Sequence, residues 1–280
     1  MTQPPAFDAR RFKTLERKGF NRIAAAYADG AHLRAELGHA LLEAARLQPG
    51  QSVLDLASGP CLLAREVAEK VAPDGWVLAT DIAEAMLAEG ARRAEADACS
   101  ALACAAADAE HLCLPDAAFD RVLAGLALFM FPHPERALAE ARRVLRPGGR
   151  LVLSVWGTAE AVPLISRAQA CIARLLPPPR VARPSVFRFG TPEVLEAALS
   201  DAGFADIRIT PCRFSCRFDD AQAYWDAFLS LAGGAAEALA QLPEPMQQRL
   251  REAVADELAH HRDGTGYTVE ASALIASAAR

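Results

Sequence analysis

VLDLASGPCLLAREVAEK, Val53 to Lys70, decides the fold. An apolar run, Ser52–Ala57, reads as a buried strand, and Leu62–Val71 carries the spacing of a helix. The turn between them has one glycine, Gly59. A glycine-rich phosphate loop would place glycine at 57 and 61 as well, and this chain has Ala57 and Cys61 there. Asp55, beside the turn, adds a negative charge where a pyrophosphate would lie. The turn is predicted to hold something other than a diphosphate.

The same strand–helix alternation extends outward. Strands are predicted at 76–81, 101–107, 119–127 and 150–156, and helices at 84–96 and 134–145. Pro134 suits the first turn of its helix. Pro147-Gly148-Gly149 stops the helix, with Arg142 and Arg143 near its negative end. The 101–107 run is rich in alanine, a weak strand former, and needs its neighbours. Short crossovers and strands without clean polar faces predict a parallel sheet covered on both sides.

Before this core, about 45 residues read as helical. After Trp156 come a helix ending at Pro177–Pro179 and a helix capped by Thr191 with Pro192 in its first turn. Val194 stands where a reciprocal capping box needs Glu or Gln. A strand over 205–218, two or three helices over 220–262 and a last strand over 266–279 complete the chain. The expected architecture is α/β: a doubly wound, mostly parallel seven-stranded sheet with N-terminal helices and a helical insertion before the last strand. Its parts are an N-terminal helical lid (1–45), a cofactor-binding core (46–219), an insertion forming part of a substrate pocket (220–263) and a returning strand (264–280).

With 52% hydrophobic residues, the 280-residue chain can build one substantial core. A net charge of −5 argues against nucleic acid as a partner. No apolar run reaches the ~18 residues of a membrane span, and the charged first segment does not read as a signal peptide. Seven cysteines without paired spacing point to reduced thiols in the cytoplasm and to no metal site. A homodimer stays open as an option.

Doubly wound sheets bind ligands at the carboxyl ends of their strands. Asp55 ends the first strand, and Gly59 lets a ligand approach the backbone. Asp81 ends the second strand, where one carboxylate accepts from two adjacent ribose hydroxyls. Asp108 follows the third strand and could accept from an exocyclic adenine amine, with Ile82 and Met86 flanking the base. Taken singly, each has a plainer reading as a turn, cap, loop or core residue; their placement after successive strands carries the argument. A nucleoside end, a positively charged end and no phosphate clamp describe S-adenosylmethionine.

At these residues the chain resembles the class I S-adenosylmethionine-dependent methyltransferases, the ubiquinone/menaquinone-biosynthesis-like branch in particular. VLDLASGPC, LATDIAEAML and the run from AADAEHLCLPDAAFDRVLAGLALFMF to RLVLSVW carry the likeness in order, over roughly residues 45–157. The resemblance implies Asp55, Ala57 and Gly59 beside the methionine moiety and Asp81 on the ribose. It also implies Ile82, Met86, Asp108 and Ala109 around adenine, Leu126 near the sulfonium, and Tyr27 closing over the cofactor. Cys61 departs from the family's glycine, which implies a shifted loop or weaker cofactor binding. Phe129-Met130 stands where many relatives carry histidine.

The expected reaction moves a methyl group from S-adenosylmethionine to an oxygen, nitrogen or carbon of a small aromatic or apolar metabolite, leaving S-adenosylhomocysteine. Phe129, Met130, Trp156, Tyr224, Trp225 and Phe228 are the expected acceptor contacts, with Phe187 and Phe189 also considered. His32 and His133 are the candidate bases. Two alternatives stay open: a nicotinamide- or flavin-dependent oxidoreductase, which would want glycines at 57 and 61, and a cofactor-binding homologue that transfers nothing.

Overall fold

The protein was analysed as a computed structural model, which describes residues 7–97, 99–179 and 181–280. Eight strands form one sheet: β1 Ser52–Leu56, β2 Trp76–Asp81, β3 Leu102–Ala106, β4 Phe119–Gly125, β5 Leu145–Trp156, β6 Ala205–Phe218, β7 Arg262–Asp263 and β8 Gly266–Ala279. Their order is β3-β2-β1-β4-β5-β8-β6, with β7 folded back on β8. The seven expected strands are all present, and β7 adds a two-residue hairpin arm. β1 runs parallel to β2 and β4, while β8 is antiparallel to both β5 and β6.

Between β1 and β4 the chain changes direction across the sheet. α3 (Leu62–Val71) links β1 to β2 on one side, and α5 (Pro134–Val144) links β4 to β5 on the other. Right-handed crossovers therefore put these helices on opposite faces and open a crevice at the tips of β1 and β4. α2 (Ala35–Ala45) packs on β5 and β8, α4 (Glu84–Ala96) on β2 and β3, and α7 (Pro192–Asp201) on β6. Val53, Leu54 and Leu56 are buried on the central β1. Burying such side chains contributes about 1.5–3 kcal/mol each.

β3 departs from the expected two-sided cover. Residues 107–118 return from β3 to β4 without a helix, and Ala103, Cys104, Ala105 and Ala106 are exposed. An edge strand of small residues survives here because β2 holds it in parallel register along its whole length.

The first described segment is α1 (Ala9–Asp29), which Asp8 begins by accepting from the Arg11 N–H at 3.0 Å. α6 (Pro163–Leu175) follows β5. The insertion expected over 220–263 holds α8 (Ala221–Leu231), α9 (Gly234–Ala240), α10 (Glu244–Leu258) and β7. α1 packs on α8 and α9, and α10 on α6 and α8. Thr191 caps α7 as expected, accepting from the Val194 N–H at 3.4 Å, without a reciprocal box.

The α1–α9 contact depends on glycine. A Cβ on Gly19 would lie 2.3 Å from the Gly234 nitrogen, so only a bare backbone lets the helices approach this closely. Glu16, one turn earlier, reaches the same junction: it pairs with Arg183 and accepts from the Gly234 N–H at 3.3 Å. Among the described residues no helix is long and apolar enough to cross a membrane.

Candidate active site

The turn after β1 keeps a glycine-rich shape with a single glycine. Ala57, Gly59 and Cys61 all have positive φ, at 54°, 58° and 56°. A side chain in this region costs roughly 1–2 kcal/mol, so Ala57 and Cys61 hold a conformation that glycine would adopt freely. Ser58 N–H donates to the Thr80 carbonyl at 2.9 Å, and Cys61 N–H to the Ser58 carbonyl at 3.2 Å. The loop is thus bonded both to β2 and to itself.

Asp81 organises the tip of β2. Its Oδ2 accepts from Gly59 N–H at 2.9 Å and its Oδ1 from Ala83 N–H at 2.8 Å. Each oxygen keeps a second lone pair. Burial is the main cause of its raised pKa, opposed by these backbone donors. Asp55 is 1% exposed, and its carboxylate accepts from the Ser58 hydroxyl at 2.6 Å. Burial pushes its pKa up to about 7, and Asp55 makes no ion pair among the described residues.

Asp108 follows β3 and is already engaged. Lys13 of α1 donates to it at 2.6 Å and to the buried Glu110 at 2.7 Å. Glu110 in turn accepts the His133 backbone N–H at 2.8 Å. Lys13 therefore pins α1 to the loop after β3.

Three cavities adjoin these groups. One of about 120 Å³ is lined by Gly59, Asp81, Ile82, Met86, Asp108 and Ala109, among others. A second, about 330 Å³, lies along Asp55, Ala57, Ser58, His32 and Arg34. The third, about 440 Å³, is walled by aromatic and apolar side chains including Phe129, Met130, Trp156 and Phe228, together with Glu16, Arg34 and Arg183. Tyr27 and Leu126 line all three cavities, so the three meet there. Leu126 has a φ of 51° and donates its N–H to Ser154 at 3.0 Å, which fixes it just past the tip of β4.

The ten residues expected around the cofactor thus border the two cavities over the strand tips. The expected acceptor residues divide. Phe129, Met130, Trp156 and Phe228 line the third cavity, whereas Tyr224 and Trp225 do not. Tyr224 is completely buried with its hydroxyl donating to the Leu164 carbonyl at 2.9 Å, and Trp225 stacks on Phe228. Both are packing residues of α8. Phe187 and Phe189 also lie off these walls, Phe189 beneath the Arg188 guanidinium.

Neither expected base reaches the third cavity. His32 is exposed and borders the second, with Nδ1 3.3 Å from the Asp29 carbonyl oxygen. His133 lines none of the three and stands at the start of α5, beside Glu135. The acidic and basic side chains on the third cavity are Glu16, Arg34 and Arg183. Burial raises the Glu16 pKa, and Arg183 opposes that rise.

Sequence reading missed Glu16, Arg34, Arg183 and Lys13. Glu16 had a signal: Phe12, Glu16 and Phe20 recur every four residues, so a carboxylate interrupts an apolar stripe. Arg34 had none, because its place depends on how two helices pack. Its Cζ sits 4.1 Å from the Tyr27 ring centre, and Nη2 donates to the Tyr27 carbonyl at 3.0 Å. Nη1 is buried without a hydrogen-bond partner among the described residues.

Comparison with known proteins agrees with this geometry. Residues 54–153 match the family described as "Methyltransferase domain". The ubiquinone/menaquinone biosynthesis C-methyltransferase UbiE of Bordetella avium is 46% identical over 109 residues, 39% of this chain and 42% of that protein. The match therefore spans about two fifths of that relative's length. A putative methyltransferase from Bacillus halodurans has a TM-score of 0.57 at 21% identity, covering 86% of this chain and 97% of that one. The [4+2]-cyclase SpnF has a TM-score of 0.54 at 22% identity, covering 87% of this chain and 79% of that one. Likenesses this remote show the fold alone. Over residues 54–153 the chain carries a segment that matches a methyltransferase domain, and about two fifths of it is similar to the UbiE quinone C-methyltransferases, in keeping with the sheet order and the strand-tip motifs.

Proposed function

We propose that the protein transfers a methyl group from S-adenosylmethionine to a small, largely apolar or aromatic metabolite. One observation carries the reading. The cavity along the β1 turn is lined by Asp55, a buried carboxylate without a cation among the described residues, and by Arg34, whose buried Nη1 has no hydrogen-bond partner among them. A zwitterionic amino-acid tail satisfies both, its ammonium on Asp55 and its carboxylate on Arg34. A diphosphate would leave Asp55 repelled.

The remaining donors fit the rest of the cofactor. Asp81 keeps acceptor capacity for two ribose hydroxyls. Ile82 and Met86 offer apolar surface to a base, and Asp108 with the Ala109 backbone offers polar edges to it. Lys13 holds Asp108, so an adenine amine shares that carboxylate with Lys13 or displaces it. When bound, the cofactor supplies a sulfonium-activated methyl group.

The chain's own contribution is placement and exclusion of water. Tyr27 and Leu126, at the meeting of the three cavities, set where donor and acceptor face each other. Phe12, Phe20, Met130 and Trp156 give the acceptor cavity an apolar wall, which favours a flat hydrophobic acceptor. Glu16 is the group on that wall able to take a proton, and Arg183 holds its carboxylate in place. An acceptor with an acidic hydroxyl or an activated carbon needs little more.

Titration calorimetry tests the cofactor, and a transfer assay with methyl-labelled cofactor tests the reaction. We expect S-adenosylhomocysteine to bind one to one and NAD or NADP to give no heat. We expect label to move to members of a phenol and quinol panel. Binding of NAD in place of S-adenosylhomocysteine would overturn the reading. Tight cofactor binding with no transfer to any acceptor fraction would reduce it to a cofactor-binding protein with another reaction, since a shared fold does not fix chemistry.

A further inference from the structure

Two cysteines that no cofactor contact uses meet behind the β1 turn. Cys61 Sγ lies 3.7 Å from Cys104 Sγ, although the residues are 43 positions apart. Cys104 sits on the edge strand β3 and is exposed; Cys61 is fully buried beneath it. Cys61 has no room to turn away, because Gly90 of α4 packs against it. A Cβ on Gly90 would lie 2.5 Å from Cys61 Sγ and 2.7 Å from its Cβ. An accessible thiol is thereby backed by a sheltered one within reach.

We propose that Cys104 and Cys61 form a thiol modification site for a peroxide or a small-molecule disulfide, with Cys104 reacting first and Cys61 closing an internal disulfide that loosens the cofactor loop.

With a peroxide, the Cys104 thiolate attacks one oxygen and the O–O bond breaks. This leaves a sulfenic acid on Cys104 and a hydroxide that takes up a proton. Cys61 Sγ then attacks Cys104 Sγ, the S–O bond breaks, and the Cys61 proton leaves with that oxygen as water. Two thiols lose two electrons in all, and one peroxide becomes two waters. A small disulfide does the same by exchange and releases two thiols. The hydrogen bond from Cys61 lowers the Cys104 pKa, which favours the attacking thiolate.

The link to the cofactor is mechanical. An S–S bond is about 2.0 Å long, so closure must draw together two atoms now 3.7 Å apart. Cys61 ends the turn that presents Gly59 to Asp81 and Ser58 to Asp55. Its φ of 56° is already strained. Pulling on it moves the loop that the proposed cofactor tail lies against. This consequence rests on the reading given under Proposed function; the cross-link itself does not.

The test uses the full chain. Reduced protein is treated with hydrogen peroxide or oxidised glutathione, mapped by mass spectrometry of unreduced peptides, and titrated with S-adenosylhomocysteine before and after. We expect a Cys61–Cys104 peptide pair, loss of two free thiols, and at least tenfold weaker binding that a phosphine reductant restores. Cys104→Ser should be indifferent to oxidant. Cys61→Ser should stop at a sulfenic acid that dimedone traps, and Cys113→Ser should behave as the parent. Cross-links to other cysteines, or none, would overturn the modification site. A mapped Cys61–Cys104 bond with unchanged affinity would overturn the coupling. Failure of the reduced protein to bind S-adenosylhomocysteine would instead overturn the cofactor reading, with the peptide map still deciding the cross-link.

Discussion

The strand tips and the acceptor cavity are built by different means. At the tips of β1 and β2, backbone groups hold the site: the Asp81 carboxylate accepts from the Gly59 and Ala83 N–H groups, and the Ser58 N–H donates to the Thr80 carbonyl. Sheet register fixes these positions, with Asp55 opposite Ala79 and Leu56 opposite Thr80. The acceptor cavity draws its walls from α1, the segment after β4, α6, the 183–186 loop and α8. Its ion pair, Glu16–Arg183, joins side chains 167 positions apart. A register-held site tolerates sequence change elsewhere, whereas a site assembled from distant helices depends on each of their contacts.

The largest expected effect falls on the register-held half. Asp81→Ala removes both the loop's anchor and the proposed ribose acceptor. S-adenosylhomocysteine affinity should drop at least a hundredfold, about 3 kcal/mol, by titration calorimetry. A drop of less than tenfold would detach Asp81 from the cofactor.

Gly19→Ala probes the other half. The added Cβ meets the Gly234 nitrogen at 2.3 Å, so α1 must move from α9. We expect destabilisation of about 1–3 kcal/mol in denaturant unfolding. Methyl transfer should fall at least tenfold, with cofactor affinity changed less than threefold. Equal losses in both would erase the distinction between the halves.

Asp55 brings pH into the register-held half. Its folded-state pKa is raised from 3.8 to about 7. The unliganded fold therefore loses this group's contribution as pH rises from about 4 through about 7. A cationic ligand favours the ionised form, so S-adenosylhomocysteine should bind more tightly from pH 5.5 to 7.5 and level off above. Asp55→Asn should flatten that dependence and weaken binding roughly tenfold at pH 8, an estimate for one lost charged contact. The unliganded variant should melt higher at pH 8. A parent protein whose affinity is flat across this range would remove Asp55 from the ligand. The smallest effect is expected for His133→Ala, which should change transfer less than twofold; a loss above tenfold would return His133 to the chemistry.

The difference between the halves also explains what was legible. Strands β1, β2, β4 and β8, the Thr191 cap and the strand-tip carboxylates follow from hydrophobic period, turn chemistry and local spacing. Each of those signals lies within a few residues of its consequence. The positive φ at Ala57 and Cys61 was hidden because sheet and helix on either side override the residue's own preference. Tyr224 and Trp225 read as pocket residues because an aromatic on a helix carries no mark of which way it faces. Arg34 and Lys13 acquire their partners only when α1 folds over the strand tips. The bare side chains of β3 follow from a missing crossover helix, which no residue within 101–107 could announce.

A crystal structure with S-adenosylhomocysteine tests the central claim most directly. The account expects the ribose on Asp81, the amino-acid tail between Asp55 and Arg34, and the sulfur facing the junction of Tyr27 and Leu126. A ligand lying elsewhere, or an amino-acid tail turned away from both Asp55 and Arg34, would contradict it.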